Sequence, residues 1–365
     1  NSSSPMTAAA YVRLAIRLAE RGRGAVGTNP LVGAVVVRGG RIVGRGWHAR
    51  FGGPHAEAIA LARAGEKARG GVLYVTLEPC AHAGKTPPCT RMILAAGVRR
   101  VVAALADPRQ AGRGFAELRR HGVRTSVGLL AAEARPLIAD YLTRLVTRRP
   151  LVTLKLAETL DGRIADAAGR SKWISSAAAR RWTRELRSGC DAILVGAGTA
   201  AADDPRLSAP RRGGNHGPMK IIVDSRARLD PRARLLRSGR TLVAVTEKAP
   251  AARITALELR GAEVLRVAAR DGRVEPRALL RVLFARGIGS VLCEGGAELA
   301  GALLDARVVD RAVIVVAPRL LGGRGARPSV LGRGRSLRAA IPLADVAVAR
   351  RGADIVITGR VRGAR

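Results

Sequence analysis

The chain is short of aromatic residues, of lysine and of cysteine, and each shortage excludes something. Phe, Trp and Tyr together make up 2% of the 365 residues, so the interleaved aromatics on which a single-strand nucleic-acid binder stacks bases are missing. Of 64 basic residues 6 are lysine and 58 arginine. The arginines are spread along the whole chain beside abundant Ala and Gly, a pattern of compositional drift in a GC-rich genome more than of a binding tail. The formal net charge of +36 favours phosphates of any kind. Its even spread reads as solvated surface guanidinium, so nucleic acid is not the expected partner. Four cysteines are too sparse for a disulfide framework. No apolar run approaches the roughly 20 residues of a membrane span, and no membrane partner is expected. Asn1-Ser2-Ser3-Ser4-Pro5 lacks a basic region followed by an apolar stretch, which argues against a secretory signal and places the chain in the cytoplasm.

The length favours two domains. Tyr11, Leu14, Ala15 and Leu18 share one face of a helix over 7–24, with Thr7 as its N-cap. A hairpin follows at 31–46, then a helix at 54–64, a strand at 72–77, a helix at 90–96 and a strand at 98–105. This alternation predicts a layered α/β domain over residues 1–146. After the polar joint Thr147-Arg148-Arg149-Pro150, strand-like runs recur at 151–156, 192–195, 221–223, 242–245, 264–267, 291–292 and 313–316. They predict a second α/β domain over 147–365.

His55-Ala56-Glu57 opens the predicted helix at 54–64, and Pro79-Cys80 follows a strand, with Cys89 nine residues later. One imidazole and two thiolates are three ligands for zinc, leaving its fourth tetrahedral position to water. Zinc lowers the pKa of that water to about 7, and Glu57, near the ligands without being one, is placed to move a proton to a leaving amine. His-x-Glu followed by Pro-Cys and a second cysteine is the nucleobase-deaminase pattern, here with eight residues between the thiolates. His82 lies in that loop and is read as a loop residue, because a fourth protein ligand would close the site. Asn29 before Pro30 can be a turn residue, and His48 after Trp47 a packed histidine at a strand end.

Thr28-Asn29-Pro30-Leu31-Val32-Gly33, Gly46-Trp47-His48, Pro54-His55-Ala56-Glu57, Thr76-Leu77-Glu78-Pro79-Cys80 and Gly84-Lys85-Thr86-Pro87-Pro88-Cys89 together resemble the deaminase half of the bifunctional riboflavin biosynthesis deaminase/reductases. The resemblance implies a cytidine-deaminase-like α/β/α layered fold, one zinc ion on His55, Cys80 and Cys89, and Glu57 as the catalytic proton shuttle. It also implies pyrimidine contacts from Asn29 and His48, with Lys85 and Thr86 near a ribose phosphate. The loop at 108–112 is shorter than the family's.

In the second half, Ser290-Val291-Leu292-Cys293-Glu294-Gly295-Gly296 runs from a strand through two glycines into a helix carrying Leu299, Ala300, Leu303 and Leu304. Free amides at such a helix start suit a pyrophosphate, although a tight turn without a ligand has the same sequence. Gly196-Ala197-Gly198-Thr199-Ala200-Ala201 imitates a dinucleotide fingerprint, and Asp224 ends a later strand as a ribose-binding acid would. Asp203-Asp204-Pro205 and Pro210 interrupt the long helix that the fingerprint requires, so the segment is read as a loop lining a cofactor. Cys190 and Cys293 beside strands read as buried structural thiols.

Lys155 to Ala165, Ser171-Lys172-Trp173-Ile174-Ser175, Leu186-Arg187, Asp203-Asp204-Pro205 and Ala317 to Gly323 resemble the reductase half of the same family, whose fold is similar to dihydrofolate reductase. The resemblance implies NADPH contacts from Ala157, Trp173, Thr199, Asp203, Ser225 and the segment Gly296, Ala297, Glu298, Leu299, Ala300, Gly301 and Ala302. It implies substrate contacts from Ser171, Arg187, Leu207 and Glu294. Pro210 stands where the family has an arginine, with Arg206 or Arg211 as its substitute. The implied partner is a phosphorylated pyrimidine small molecule, and the family associates into homo-oligomers through its reductase halves. The activity implied is zinc-dependent hydrolytic deamination of 2,5-diamino-6-ribosylamino-4(3H)-pyrimidinone 5′-phosphate followed by NADPH-dependent reduction of the ribosyl side chain. The competing reading is an RNA-acting zinc deaminase with a basic nucleic-acid-binding second half.

Overall fold

The computed structural model describes residues 6–23, 25–26, 29–82, 87–209 and 217–363. The chain divides into two compact units, Asn1–Leu142 and Thr143–Arg365.

The first unit opens with α1 (Ala8–Ala19), whose N-cap Thr7 accepts a hydrogen bond from the Ala10 amide. Strands β1 (Gly33–Arg38) and β2 (Arg41–Trp47) form the hairpin, and α2 (Ala56–Ala64), β3 (Val72–Leu77), α3 (Cys89–Ala95) and β4 (Arg100–Leu105) follow. The unit is completed by α4 (Arg113–Arg120), β5 (Arg124–Val127), the single turn α5 (Ala131–Ala134) and α6 (Ala139–Thr147), which runs across the division. The sheet order is β2-β1-β3-β4-β5, with β1 antiparallel to both neighbours and β3, β4 and β5 parallel.

Strand periodicity explains the three layers. Ala34, Val36, Leu73, Val75, Val101 and Ala103 face α2, α3 and α4, whereas Val35, Val37, Val102 and Ala104 face α1 and the helices after β5. Both faces are buried, so these strands read as unbroken apolar runs. Helix α2 lies unusually close to β2. A Cβ on Gly44 or Gly46 would meet the Ala60 or Ala56 carbonyl oxygen at 2.1 or 2.2 Å, so glycine on the strand and alanine on the helix set the height of α2, and with it of His55 and Glu57.

The second unit contains β6 (Leu151–Thr159), β7 (Arg163–Ala165), α7 (Ala177–Arg187), β8 (Ala192–Gly196), α8 (Ala197–Asp203), β9 (Met219–Val223) and β10 (Thr241–Val245). Then come α9 (Ala251–Glu258), β11 (Glu263–Arg266), β12 (Ala269–Arg270), β13 (Arg273–Val274), α10 (Pro276–Ala285), β14 (Ser290–Cys293) and α11 (Ala297–Asp305). The chain ends with β15 (Arg311–Ala317), β16 (Arg327–Pro328), β17 (Leu343–Arg351) and β18 (Asp354–Val361). The nine-stranded sheet runs β11-β10-β9-β8-β14-β6-β15-β18-β17 and is parallel except for β18, which is antiparallel to both β15 and β17. Alternate residues feed two cores: Leu194, Ile221 and Leu242 pack with α10 and α11, and Ile193, Ile222 and Val243 with α9.

Two features depart from the sequence reading. The segment after Gly196 is a short helix, α8, and not a loop. It is stopped where Asp204 adopts φ 36°, so no long dinucleotide helix follows. The β17–β18 hairpin was not anticipated, because β17 is an edge strand whose residues are largely exposed and whose alternating apolar signal is therefore weak. Cys293 is buried as expected, but Cys190 is only half-buried.

Candidate active sites

In the first unit, His55 is the N-cap of α2, Cys80 lies just beyond the end of β3, and Cys89 opens α3. Their ligating atoms all lie within 4.8 Å of one another. His55 Nδ1 is 3.1 Å from Cys89 Sγ and 3.6 Å from Cys80 Sγ. Zn–S bonds of about 2.3 Å and Zn–N bonds of about 2.0 Å in a tetrahedron put ligand atoms roughly 3.5 Å apart. The trio therefore fits zinc by spacing and by donor type. Cys80 is drawn down to about 4 by its hydrogen bond with Cys89, helped by His55, while the same bond pushes Cys89 up. The two sulfurs share one proton, which a metal dication would displace. The Cys80 interaction also raises His55.

Glu57, in the first turn of α2, is buried at 4% exposure and shares a hydrogen bond with Cys89. Burial pushes its carboxyl up, opposed by His55. His48 is also buried, which lowers its pKa. Its Nδ1 donates to the Pro54 carbonyl at 3.0 Å, leaving Nε2 to accept from the Asn29 carboxamide at 3.0 Å. The His48 ring stands edge-on to His55, centroids 5.7 Å apart. Asn29 and His48 are thus one hydrogen-bonded pair beside the ligand trio. Lys85 and Thr86 lie outside the described residues.

Two supporting residues escaped the sequence reading. Glu78, 3% exposed, accepts from the amides of Gly114 at 3.0 Å and Asp107 at 3.2 Å. Gln110, in the shortened loop, accepts from the Ala81 amide at 3.3 Å and donates to His82 Nδ1 at 2.8 Å. Together they clamp the chain on both sides of Pro79-Cys80, and His82 belongs to this clamp, not to the ligand trio. Glu78→Ala would orphan two buried amides, a cost of about 2 kcal/mol. It is expected to speed zinc loss to a chromogenic chelator at least about tenfold; an unchanged rate would remove Glu78 from ligand positioning.

The second unit contains a cavity of about 1440 Å³ at the carboxyl ends of its parallel strands. Ala157, Trp173, Thr199, Asp203, Ser225, Gly296, Ala297, Glu298, Leu299 and Ala302 line it, as do Ser171, Arg187, Arg206, Leu207 and Glu294. Ala300 and Gly301 do not. Ala300 is in the core, and Gly301 faces the Leu331 carbonyl, which a Cβ would meet at 2.0 Å. Helix α11 begins at Gly296 without a side-chain cap, leaving its first-turn amides directed at the cavity. The Gly296 amide itself donates to Thr199 Oγ1 at 2.8 Å, and the Ser171 hydroxyl donates to Asp203. Trp173 is 63% exposed, with the Arg180 guanidinium 4.3 Å from its ring centroid. The Asp224 carboxylate faces inward and accepts from the Leu229 amide at 2.7 Å.

Arg187 and Glu294 form a bidentate ion pair, Nε–Oε1 2.5 Å and Nη2–Oε2 2.9 Å, and Arg187 Nη1 also donates to the Ser208 carbonyl at 3.0 Å. Burial pushes the Glu294 carboxyl up, but Arg187 and then Lys155 outweigh it and hold it below the ordinary range. Lys155, on β6, lines the same cavity, and withdrawal from solvent lowers its pKa against the pull of Glu294. The sequence reading assigned Lys155 no role. A signal was present: in a chain with 58 arginines and 6 lysines, this lysine interrupts the apolar strand Leu151 to Leu156.

Residues 6–105 match the family model of the cytidine and deoxycytidylate deaminase zinc-binding region, and residues 150–357 that of the RibD C-terminal domain. The chain is 42% identical over 328 residues to riboflavin biosynthesis protein RibD of Escherichia coli strain K12, covering 86% of this chain and 88% of the relative. Acinetobacter baumannii RibD superposes with a TM-score of 0.86 at 33% identity, covering 97% of this chain and 98% of that one. A diaminohydroxyphosphoribosylaminopyrimidine deaminase/5-amino-6-(5-phosphoribosylamino)uracil reductase from Thermotoga maritima superposes with a TM-score of 0.83 at 34% identity, with the same coverage. The second half is therefore a reductase domain, which does not favour the reading of it as an RNA-binding module. The chain belongs to the RibD family of riboflavin biosynthesis enzymes, with a zinc deaminase domain followed by a reductase domain.

Proposed function

We propose that the first unit deaminates 2,5-diamino-6-ribosylamino-4(3H)-pyrimidinone 5′-phosphate and that the second reduces the ribosyl side chain of the product with NADPH. The observation that carries the first half is the convergence of His55, Cys80 and Cys89 beside the buried Glu57. His55, Cys80 and Cys89 would hold zinc, which would supply an activated water at neutral pH. Glu57 would take a proton from that water and return it to the departing amine. The His48–Asn29 pair orients the pyrimidine edge, with His48 kept neutral by burial.

In the second unit the uncapped first turn of α11 holds the cofactor pyrophosphate. NADPH bound there would supply a hydride to C1′ of the opened sugar. Lys155 delivers the accompanying proton, its lowered pKa making the ammonium a readier donor. Ser171 and the Arg187–Glu294 pair position the sugar phosphate. Exposed Val346 and Val348 on the edge strand β17 support self-association through this unit. The thiol ligands require a reducing compartment, which supports the cytoplasm. No helix among the described residues is long and apolar enough to cross a membrane.

The test follows NADPH oxidation by zinc-loaded protein started from the diaminopyrimidinone phosphate. Oxidation is expected in the wild type, absent in Glu57→Gln, and restored in that variant by the deaminated intermediate. Absence of oxidation from either substrate would overturn the reductase half.

A further inference from the structure

Three charged groups act on Lys155, and the reaction described above uses only two of them. Glu294 after β14 and Arg187 on α7 line the cavity with Lys155. The third, Asp354, is 1% exposed and opens β18 in the last hairpin, two strands from β6 in the order β6-β15-β18. One face of the sheet connects them. Strand alternation puts Lys155 and Ala157 of β6 on one side. Ala157 packs there with Val313 and Val315 of β15 and Val356 of β18 against Ala179, Trp182 and Leu186 of α7. Asp354, two residues before Val356, is on the same side. Helix α7, about 16 Å long, thus crosses this face with its N-terminus at Asp354 and its last residue, Arg187, at Glu294.

The hairpin turn Arg351-Gly352-Ala353-Asp354 is the seat of that N-terminus. The Ser176 amide donates to the Asp354 carboxylate at 2.7 Å. The Ser176 hydroxyl, which caps α7 by accepting from the Ala179 amide at 3.3 Å, donates to the Arg351 carbonyl at 3.1 Å. Gly352, at φ 67°, lies so close that a Cβ would meet the Ala178 Cβ at 2.9 Å and the Ser176 Oγ at 3.1 Å. The Arg351 guanidinium lies 5.4 Å from the Trp182 ring centroid. Helix α7 has no acidic residue in its own first turn, so Asp354 supplies from another strand the negative charge that suits a helix N-terminus.

What hangs on this seat is the reaction end of the cavity. The residues just before Ser176, from Ser171 to Ser175, are a wall of the cavity, and Thr183 and Arg187 of α7 also line it. Because α7 is a stiff rod, a displacement at Ser176 is carried to Arg187. Asp354 also stands across β6 from Glu294, since β14 and β18 lie on opposite sides of that strand. Burial lowers the Lys155 pKa; Glu294 opposes this, Arg187 adds to it, and Asp354 opposes it from the other side.

We infer that Asp354 is a positioning residue of the reductase: it seats α7 so that Arg187 and the 171–175 wall meet the substrate, and its charge acts on Lys155 from the side opposite Glu294. The inference rests on the reading of Lys155 as the proton donor. Its two parts separate by substitution. Asp354→Asn keeps an oxygen for the Ser176 amide and removes the charge, whereas Asp354→Ala removes both. Loss of the charge lowers the Lys155 pKa further, so the ammonium is lost at a lower pH and reduction slows from the alkaline side.

The test is reduction of the deaminated intermediate by the full chain from neutral to alkaline pH, which needs no zinc. Asp354→Asn is expected to keep KM for the intermediate within about twofold and to move the alkaline limb of kcat down by about 0.5–1 pH unit. Asp354→Ala is expected to raise KM at least about tenfold as well, because α7 and the wall shift. A limb that stays in place in Asp354→Asn overturns the inference, whether or not the alanine variant folds. So does a folded Asp354→Ala with the wild-type KM, even one of lower Tm, since Asp354 would then be structural alone. Lys155→Gln, measured alongside, separates this inference from the reading beneath it. A wild-type rate in that variant would remove Lys155 as the donor and the inference with it. A lost rate there beside an unmoved limb in Asp354→Asn would sink the inference and leave the donor in place.

Discussion

Glu57→Gln is expected to slow ammonia release by about 10²–10⁴-fold while the protein keeps its zinc. The carboxamide has the same shape and can still bond to Cys89, and the three ligating side chains are untouched. What it loses is the ability to take up and return a proton. Burial raises the Glu57 carboxyl, and a bound dication draws it back toward the ionised form. Because the shuttle starts as the carboxylate, activity falls as the pH drops through this pKa. The position of that acid limb is set by burial, which raises the Glu57 carboxyl, against the dication, which lowers it. An enzyme-coupled ammonia assay beside metal analysis of the same samples checks both parts. Wild-type turnover in the variant would remove Glu57 from the chemistry, and loss of zinc would make it a structural residue instead.

The deaminase ligands were legible in the sequence because their spacing is local to elements with strong periodicity. The strand over 72–77 ends where Pro79-Cys80 begins, and His55 falls on the cap of α2. The supporting clamp was not legible, since Glu78 and Gln110 act through backbone amides of Asp107, Gly114 and Ala81, and no motif announces an amide. Arg187 and Glu294 were both singled out as substrate contacts. Their mutual pairing was invisible because it joins residues 107 apart in the chain. The same holds for Lys155, whose neighbours Glu294 and Arg187 reach it only when β14 lies beside β6. The segment after Gly196 was misread because Asp203-Asp204-Pro205 stops a helix without preventing one of seven residues. The last hairpin was missed because an edge strand with exposed residues on both faces carries little pattern.

Glu294→Ala is expected to have the largest effect on the stability of the second unit. It leaves Arg187, with 15% side-chain exposure, and Lys155 as neighbouring cations without their shared carboxylate. Breaking a buried pair from one side costs about 3–5 kcal/mol, which for a domain of this size corresponds to a fall in Tm of roughly 6–20 °C. The pH dependence has a definite sign. Arg187 and Lys155 hold the Glu294 carboxyl below its unfolded value against the opposing effect of burial. Its contribution is therefore fully present above the unfolded pKa near 4.3 and is lost as the pH falls through the lower folded value. The Tm gap between wild type and variant, measured by calorimetry, should be full at pH 7 and shrink only in strong acid. Arg187→Ala/Glu294→Ala removes the orphaned guanidinium as well, so it should lose less than the sum of the two single variants, by about 0.5–3 kcal/mol. Additive losses would mean that each residue is held by its other neighbours, Arg187 by the Ser208 carbonyl and Glu294 by Lys155. In that case Arg187 could leave Glu294 for a substrate phosphate without forfeiting a coupling between the two.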